Sequence, residues 1–122
     1  MEKEFVPYTE SLLLKELGFD EPCFGYFTGD LMHLVIRPAM SRVNEPESYV
    51  VTAPLYQQAF RWFRENYSLY GTIRYGNNEL DKSIYLFPCI NGIIVGNDSF
   101  KTQEEAELEC LKKLIEITNE KI

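Results

Sequence analysis

The stretch Thr52-Ala53-Pro54-Leu55-Tyr56-Gln57-Gln58-Ala59-Phe60-Arg61-Trp62-Phe63-Arg64-Glu65-Asn66-Tyr67 decides the fold class. At 100° per residue, Leu55, Tyr56, Ala59, Phe60, Trp62, Phe63 and Tyr67 fall on one half of a helical wheel, with Leu69 beyond. Gln57, Gln58, Arg61, Arg64, Glu65 and Ser68 fall on the other. Such a separation predicts a surface helix with a wide buried face. Its start is expected near Thr52 or Ala53 with Pro54 in the first turn, and its end near Tyr67, before Gly71.

Two further helices flank this one. The first is predicted from about Pro7 to Leu17, with Leu13, Leu14 and Leu17 as its apolar side. Gly18 should cap it in the left-handed conformation, with Phe19 returning to Leu14 and Pro22 blocking continuation. The last opens on Thr102-Gln103-Glu104-Glu105. In this capping box the threonine oxygen should take one free N–H and Glu105 should reach back to another. Ala106, Leu108, Cys110, Leu111, Leu114, Ile115 and Ile117 form its apolar face.

Between the helices the apolar residues form short runs bounded by turn chemistry. Residues 23–27 and 31–36 around Gly29-Asp30 read as a β-hairpin ended by Pro38, and 38–48 reads as loop. Tyr49-Val50-Val51 reads as a short third strand. Residues 72–76 and 83–90 read as strands joined by a turn at Asn77-Asn78. Asn91-Gly92 favours a type I′ hairpin into Ile93-Ile94-Val95, and Pro88 calls for an edge or a bulge. The whole chain, 1–122, is thus expected to be a single α+β domain. Three helices should pack on small antiparallel sheets in the order α-β-β-(β)-α-β-β-(β)-α.

The chain has 12 basic and 19 acidic residues, a formal net charge of −7. This disfavours a basic nucleic-acid coat protein. No apolar run is long enough for a membrane span, and no leader peptide is read in the first ten residues. Cys23, Cys89 and Cys110 lack short spacings and His33 is the only histidine, so neither a disulfide framework nor a zinc site is expected. A reduced cytoplasmic setting follows. No cofactor fingerprint, phosphate loop, nucleophile elbow or metalloprotease motif is present, and no cofactor is expected. The one catalytic arrangement to weigh is Cys23 with His33 across the first hairpin. That pairing would place Cys23 opposite a position near 35, so the two are not aligned. The acids at 104, 105, 107 and 109 radiate around their helix and read as a solvated face.

The charge is unevenly placed. All five arginines, Arg37, Arg42, Arg61, Arg64 and Arg74, lie within residues 31–78. The same region holds eight of the aromatics, Tyr49, Tyr56, Phe60, Trp62, Phe63, Tyr67, Tyr70 and Tyr75. Tyr, Trp and Arg concentrate at partner surfaces, although a bulky core with tyrosine hydroxyls at its rim would also use these aromatics. Gln57, Arg61 and Arg64 are the candidate binding residues. Arginines three apart project from one side of a helix, where they can fork a carboxylate or a phosphate.

Three stretches carry a resemblance: Glu4-Phe5-Val6-Pro7-Tyr8 through Leu14-Lys15-Glu16-Leu17-Gly18-Phe19-Asp20-Glu21-Pro22-Cys23; Ala53-Pro54-Leu55-Tyr56-Gln57-Gln58-Ala59-Phe60-Arg61-Trp62-Phe63-Arg64-Glu65; and Glu104-Glu105-Ala106-Glu107 through Cys110-Leu111-Lys112-Lys113-Leu114-Ile115-Glu116. Together they resemble a group of small uncharacterised proteins from phages and prophages of Bacteroides-type gut bacteria. The resemblance implies a cytoplasmic product of a phage or mobile element and carries no activity with it. The expectation is a non-enzymatic accessory protein acting on an unidentified protein partner or a second copy of itself. The alternative is a nucleic-acid-associated protein using the arginine- and aromatic-rich middle. No membrane association is expected.

Overall fold

A computed structural model describes residues 2–28, 33–41, 50–77, 80, 84–96 and 98–121. After a short 3₁₀ turn at Glu2–Glu4, the elements are α1 (Tyr8–Glu16), β1 (Cys23–Thr28), β2 (His33–Ser41), β3 (Val50–Ala53) and α2 (Tyr56–Tyr67). Then come β4 (Gly71–Asn77), β5 (Ile84–Ile90), β6 (Ile93–Ile94) and α3 (Gln103–Lys121). The protein is α+β; the described residues form three α-helices and two three-stranded antiparallel sheets, ordered β2-β1-β3 and β4-β5-β6. The chain divides into two compact units, Met1–Ala59 and Phe60–Ile122.

In the first unit, α1 ends as its sequence requires. Gly18 has φ +102°, the Phe19 N–H reaches the Leu14 carbonyl at 2.9 Å, and the Gly18 N–H reaches Lys15 at 3.0 Å. These two bonds satisfy carbonyls that the last helical turn would otherwise leave open. Phe19 and Leu14 are both buried. The sheet core holds Phe5, Phe27 and Ala53, with Tyr8, Leu34 and Leu55 packed against them. Phe5 lies tightly over Gly25, where a Cβ would meet its ring at 2.9 Å.

Two strand expectations and one helix boundary change here. Thr52 and Ala53 belong to β3, because they pair with Tyr26 and Gly25 of the central strand, and α2 starts only at Tyr56. Their ladder bonds outcompete an earlier helix start, and the Ala59 N–H to Leu55 carbonyl bond opens the helix instead. Pro38 does not end β2, which continues to Ser41. β2 is an edge strand, and Pro38 falls in an irregular stretch where Gly25 pairs with Ile36 but Cys23 pairs with Ser41. An edge position and a bulge are the places where a missing N–H is tolerated. The expected Gly29-Asp30 turn, most of the 38–48 loop, Tyr49 and the Asn78 turn residue lie outside the described residues.

In the second unit, α3 packs on β4 and β5. Asn91 and Gly92 both have positive φ, +53° and +82°, as a type I′ turn requires. Asn91 also holds the entrance of β4: its N–H donates to the Tyr70 carbonyl at 2.9 Å and its Oδ1 accepts from the Tyr70 N–H at 2.8 Å. Pro88 sits in the central strand, not at an edge. Leu86 exchanges backbone bonds with Phe100 at 2.8 and 2.9 Å, and the Pro88 carbonyl accepts from Val95 at 3.0 Å. Backbone groups two residues apart point the same way, so the proline nitrogen faces the β6 side and leaves the β4 ladder intact. β6 is only two residues long, so the loss falls where that strand ends.

The start of α3 follows the capping box with one change. The Glu105 N–H reaches Thr102 Oγ1 at 3.3 Å, but the Glu105 carboxylate accepts from the threonine hydroxyl at 2.8 Å rather than from its backbone N–H. The hydroxyl is thereby oriented with its lone pair toward the helix N–H.

Candidate functional site

The candidate residues Gln57, Arg61 and Arg64 are all exposed on α2. Spaced four and three apart, they lie within an arc of about 60° on the helix surface, from the 100° turn per residue. Sequence periodicity therefore placed this stripe correctly. It placed Gln58 wrongly. Gln58 is only 7% exposed, and its Nε2 donates to the Pro22 carbonyl at 2.8 Å and lies 3.5 Å from Glu21 Oε1. The chain after α1 returns across this side of the helix, so a position polar by residue type is interior by location. The wheel alone does not reveal this, although a buried glutamine amide next to a proline-ended segment is a natural partner for an otherwise unbonded carbonyl.

The stripe is cationic, with one local acid. Arg61 Nε lies 4.0 Å from Glu65 Oε1, and both side chains are more than half or about half exposed, at 50% and 58%. An exposed i,i+4 pair of this kind contributes about 0.3–0.5 kcal/mol. The order arginine then glutamate is also the less favourable one for the helix dipole. Arg64 stands in the last turn, where a cation suits the carbonyl end. Among the described residues Arg64 has no ion-pair partner within 4 Å.

The aromatic residues of the same helix do not join the stripe. Tyr56, Phe60, Trp62 and Phe63 are buried. Trp62 packs edge-on against Phe63 and Tyr67, with ring centroids 5.0 and 5.5 Å apart. These rings are packing elements, and α2 presents no stacking platform beside its arginines. Among the described residues, the exposed aromatics of the middle segment are Tyr70 at 51% and Tyr75 at 71%.

The thiol arrangement comes apart in the strand register. Thr28 pairs with His33, whereas Cys23 at the far end of β1 pairs with Ser41. The two pairs lie five residue steps apart along β1, about 17 Å of extended chain. The sequence estimate assumed a turn centred on Gly29, while the actual hairpin brackets four residues, 29–32. Cys23 is also a poor nucleophile: burial pushes its thiol up to about 12, with the Glu21 charge adding to the rise and the neighbouring polar side chains of Thr52 and Gln58 opposing it. The thiolate is the reactive form, so such a group is inert near neutrality. Cys89 and Cys110 are likewise free and buried.

Among the described residues, no three His, Cys, Asp or Glu side chains form a group able to hold a metal ion. On α3, Glu104 and Glu105 are exposed, Glu109 is half-buried and Glu107 is buried, so the run does not converge on one point. Among the described residues no helix is long and apolar enough to cross a membrane. Comparison of the chain with protein-family models, with curated proteins and with solved structures finds no match in any of the three.

Proposed function

We propose that the protein is a non-enzymatic accessory factor of a phage or mobile element, active in the cytoplasm through protein–protein contact. The observation that carries this reading is the α2 stripe of Gln57, Arg61 and Arg64, a cationic exposed surface on a chain of net charge −7. Guanidinium groups at this spacing suit a carboxylate-bearing protein surface, which they can bond in a bidentate fashion. The partner is an unidentified protein or a second copy of the chain.

The test compares the parent with the double variant Arg61→Ala, Arg64→Ala in affinity co-purification from cells of the natural host. The variant should melt within a degree or two of the parent and lose the specifically retained partner. Equal retention by the two proteins removes the stripe from the function. The nucleic-acid alternative has its own signature. Retention on immobilised double-stranded DNA or RNA that weakens steeply with salt and disappears in the variant would establish it instead.

A further inference from the structure

The second sheet is nearly devoid of charge. Among the described residues of β4, β5 and β6, Arg74 is the only charged one, and it stands at the middle of β4. β4 is an edge strand. The backbone polarity of β5 settles which groups its neighbour presents. Leu86 and Pro88 point away from β4, toward Phe100 and Val95. Tyr85, Phe87 and Cys89 therefore point toward β4, where they pair with Gly76, Arg74 and Thr72. By the same alternation, the N–H and C=O groups of Ile73 and Tyr75 point outward from the sheet.

Natural edge strands are usually short, bulged or studded with charge. This one runs seven residues with a regular register against β5. It carries apolar surface: Tyr75 is 71% exposed, and Ile84 on the neighbouring strand is also exposed. Tyrosine and arginine amid charge-poor surface is the composition of a protein-binding patch.

We propose that the outer edge of β4 takes an extended strand from a partner protein, paired antiparallel, whose residue opposite Arg74 is Asp or Glu and whose two immediate neighbours are apolar. The pattern follows from the geometry. Strand residues alternate between faces, so the groups opposite Ile73 and Tyr75 share one face and the group opposite Arg74 lies on the other. Arg74 occupies a position whose own backbone bonds go to β5. Its cross-strand pair on the outer side is the closely spaced, non-hydrogen-bonded kind, with about 4.5 Å between Cα atoms, which favours an ion pair. The side chain is exposed, and its one bond within the sheet is a long one, 3.5 Å from Nη2 to the Gly92 carbonyl.

Charge also argues against a second copy on this edge. A two-fold axis at Arg74 would set two guanidinium groups face to face. An axis at Ile73 would set Arg74 against Thr72 and still supply no carboxylate. This surface uses none of the α2 residues, so its test is independent of the stripe.

The probe is the end-blocked peptide Ser-Thr-Val-Glu-Val-Thr-Ser, titrated into the full chain and followed by backbone amide NMR. Saturable shifts centred on Ile73, Arg74 and Tyr75 are expected, with slowed exchange of the Ile73 and Tyr75 amides. A peptide with Lys in place of the central Glu should bind about tenfold more weakly, and Arg74→Glu should reverse that preference. On the unaltered protein, N-methylation of the peptide amides that face β4 should abolish binding, a control that needs no variant to fold. Absence of binding, indifference to the central charge, shifts centred elsewhere, or binding that survives N-methylation each overturns the proposal. So does a free protein that sediments as a dimer with the Ile73 and Tyr75 amides already protected, since the occupant would then be a second copy.

Discussion

Gly71 lies so close beneath Leu114 that a Cβ on the glycine would come within 2.9 Å of the leucine Cδ1. Cys110 Sγ at 3.2 Å and Phe60 Cδ1 at 3.3 Å close the remaining space. The absence of a side chain at the first residue of β4 is what lets α3 settle onto the sheet. Gly71→Ala should therefore destabilise by about 1–3 kcal/mol through overpacking. Gly76, five residues along the same strand, is the control. A Cβ there meets only Phe87 Cε2, at an ordinary 3.5 Å. Gly76→Ala should be neutral or slightly stabilising, since glycine in a strand costs backbone entropy. Urea denaturation of both variants checks the pair, and equal midpoints would refute the packing argument.

Burial raises the thiols of both Cys23 and Cys110 from an ordinary 9.0 to about 12. At Cys110 the neighbouring Cys89 adds to the rise. The fold thus favours the protonated forms. The resulting stability is fully present below pH 9 and is lost as pH climbs from 9 through 12. The parent should lose stability between pH 9 and pH 11 more steeply than Cys110→Ala does, because the variant has one fewer group to ionise on unfolding. Parallel pH dependences would contradict this. Cys110→Ser should cost about 1–3 kcal/mol at pH 7, since it buries a hydroxyl where the thiol makes only weak contacts, to the Cys89 carbonyl at 3.5 Å and the Thr72 carbonyl at 4.0 Å. Alkylation of Cys110 in the native protein should be no faster than unfolding.

Thr102 makes two bonds to one residue, accepting from the Glu105 N–H and donating to its carboxylate. Thr102→Ala removes both and should lower stability by about 1 kcal/mol, whereas Thr102→Ser should recover most of the loss. Denaturant midpoints with an unchanged slope measure this directly. If the alanine variant matches the parent, the cap contributes nothing and the dipole complement of Glu104 and Glu105 must suffice for the helix start.

The features legible in the sequence are those set by local chemistry. Gly18 followed by Phe19, Asn91-Gly92 and Thr102 with Glu105 each fix a chain direction within five residues, and each was read correctly in outline. The exposed side of α2 was legible for Gln57, Arg61 and Arg64 because helical periodicity alone decides it. Long-range pairing was not legible. Thr52 reads equally well as a helix start or a strand residue until Tyr26 is found opposite it. Cys23 reads as lying opposite a position near 35, close to His33 but not aligned with it; the register that pairs Thr28 with His33, and the irregularity between Cys23 and Gly25, carry Cys23 to Ser41 instead. Arg74 stood out as an arginine, but its position at the centre of an edge strand emerges only from the order β4-β5-β6.

The two adjacent glutamines of α2 give the sharpest test of which side of the helix is interior. They have the same side chain, the same helix propensity and consecutive positions, so differences between them report location alone. Gln57 is exposed. Gln58 is buried, with its amide on the Pro22 carbonyl at 2.8 Å and near the Glu21 carboxylate. Gln57→Ala should change stability by no more than about 0.5 kcal/mol, as surface substitutions do. Gln58→Ala leaves a part-buried carbonyl without its donor and should cost about 1–3 kcal/mol. Gln58→Glu should be worse than alanine above pH 5, because it directs a carboxylate at a carbonyl oxygen and at Glu21. Its deficit should shrink as pH falls and the new carboxyl takes up a proton. Thermal melts of the three variants at pH 7 and pH 4.5 would decide the matter. Equal effects of the two alanine substitutions would mean that the 55–58 turn of the helix faces solvent on both glutamine sides.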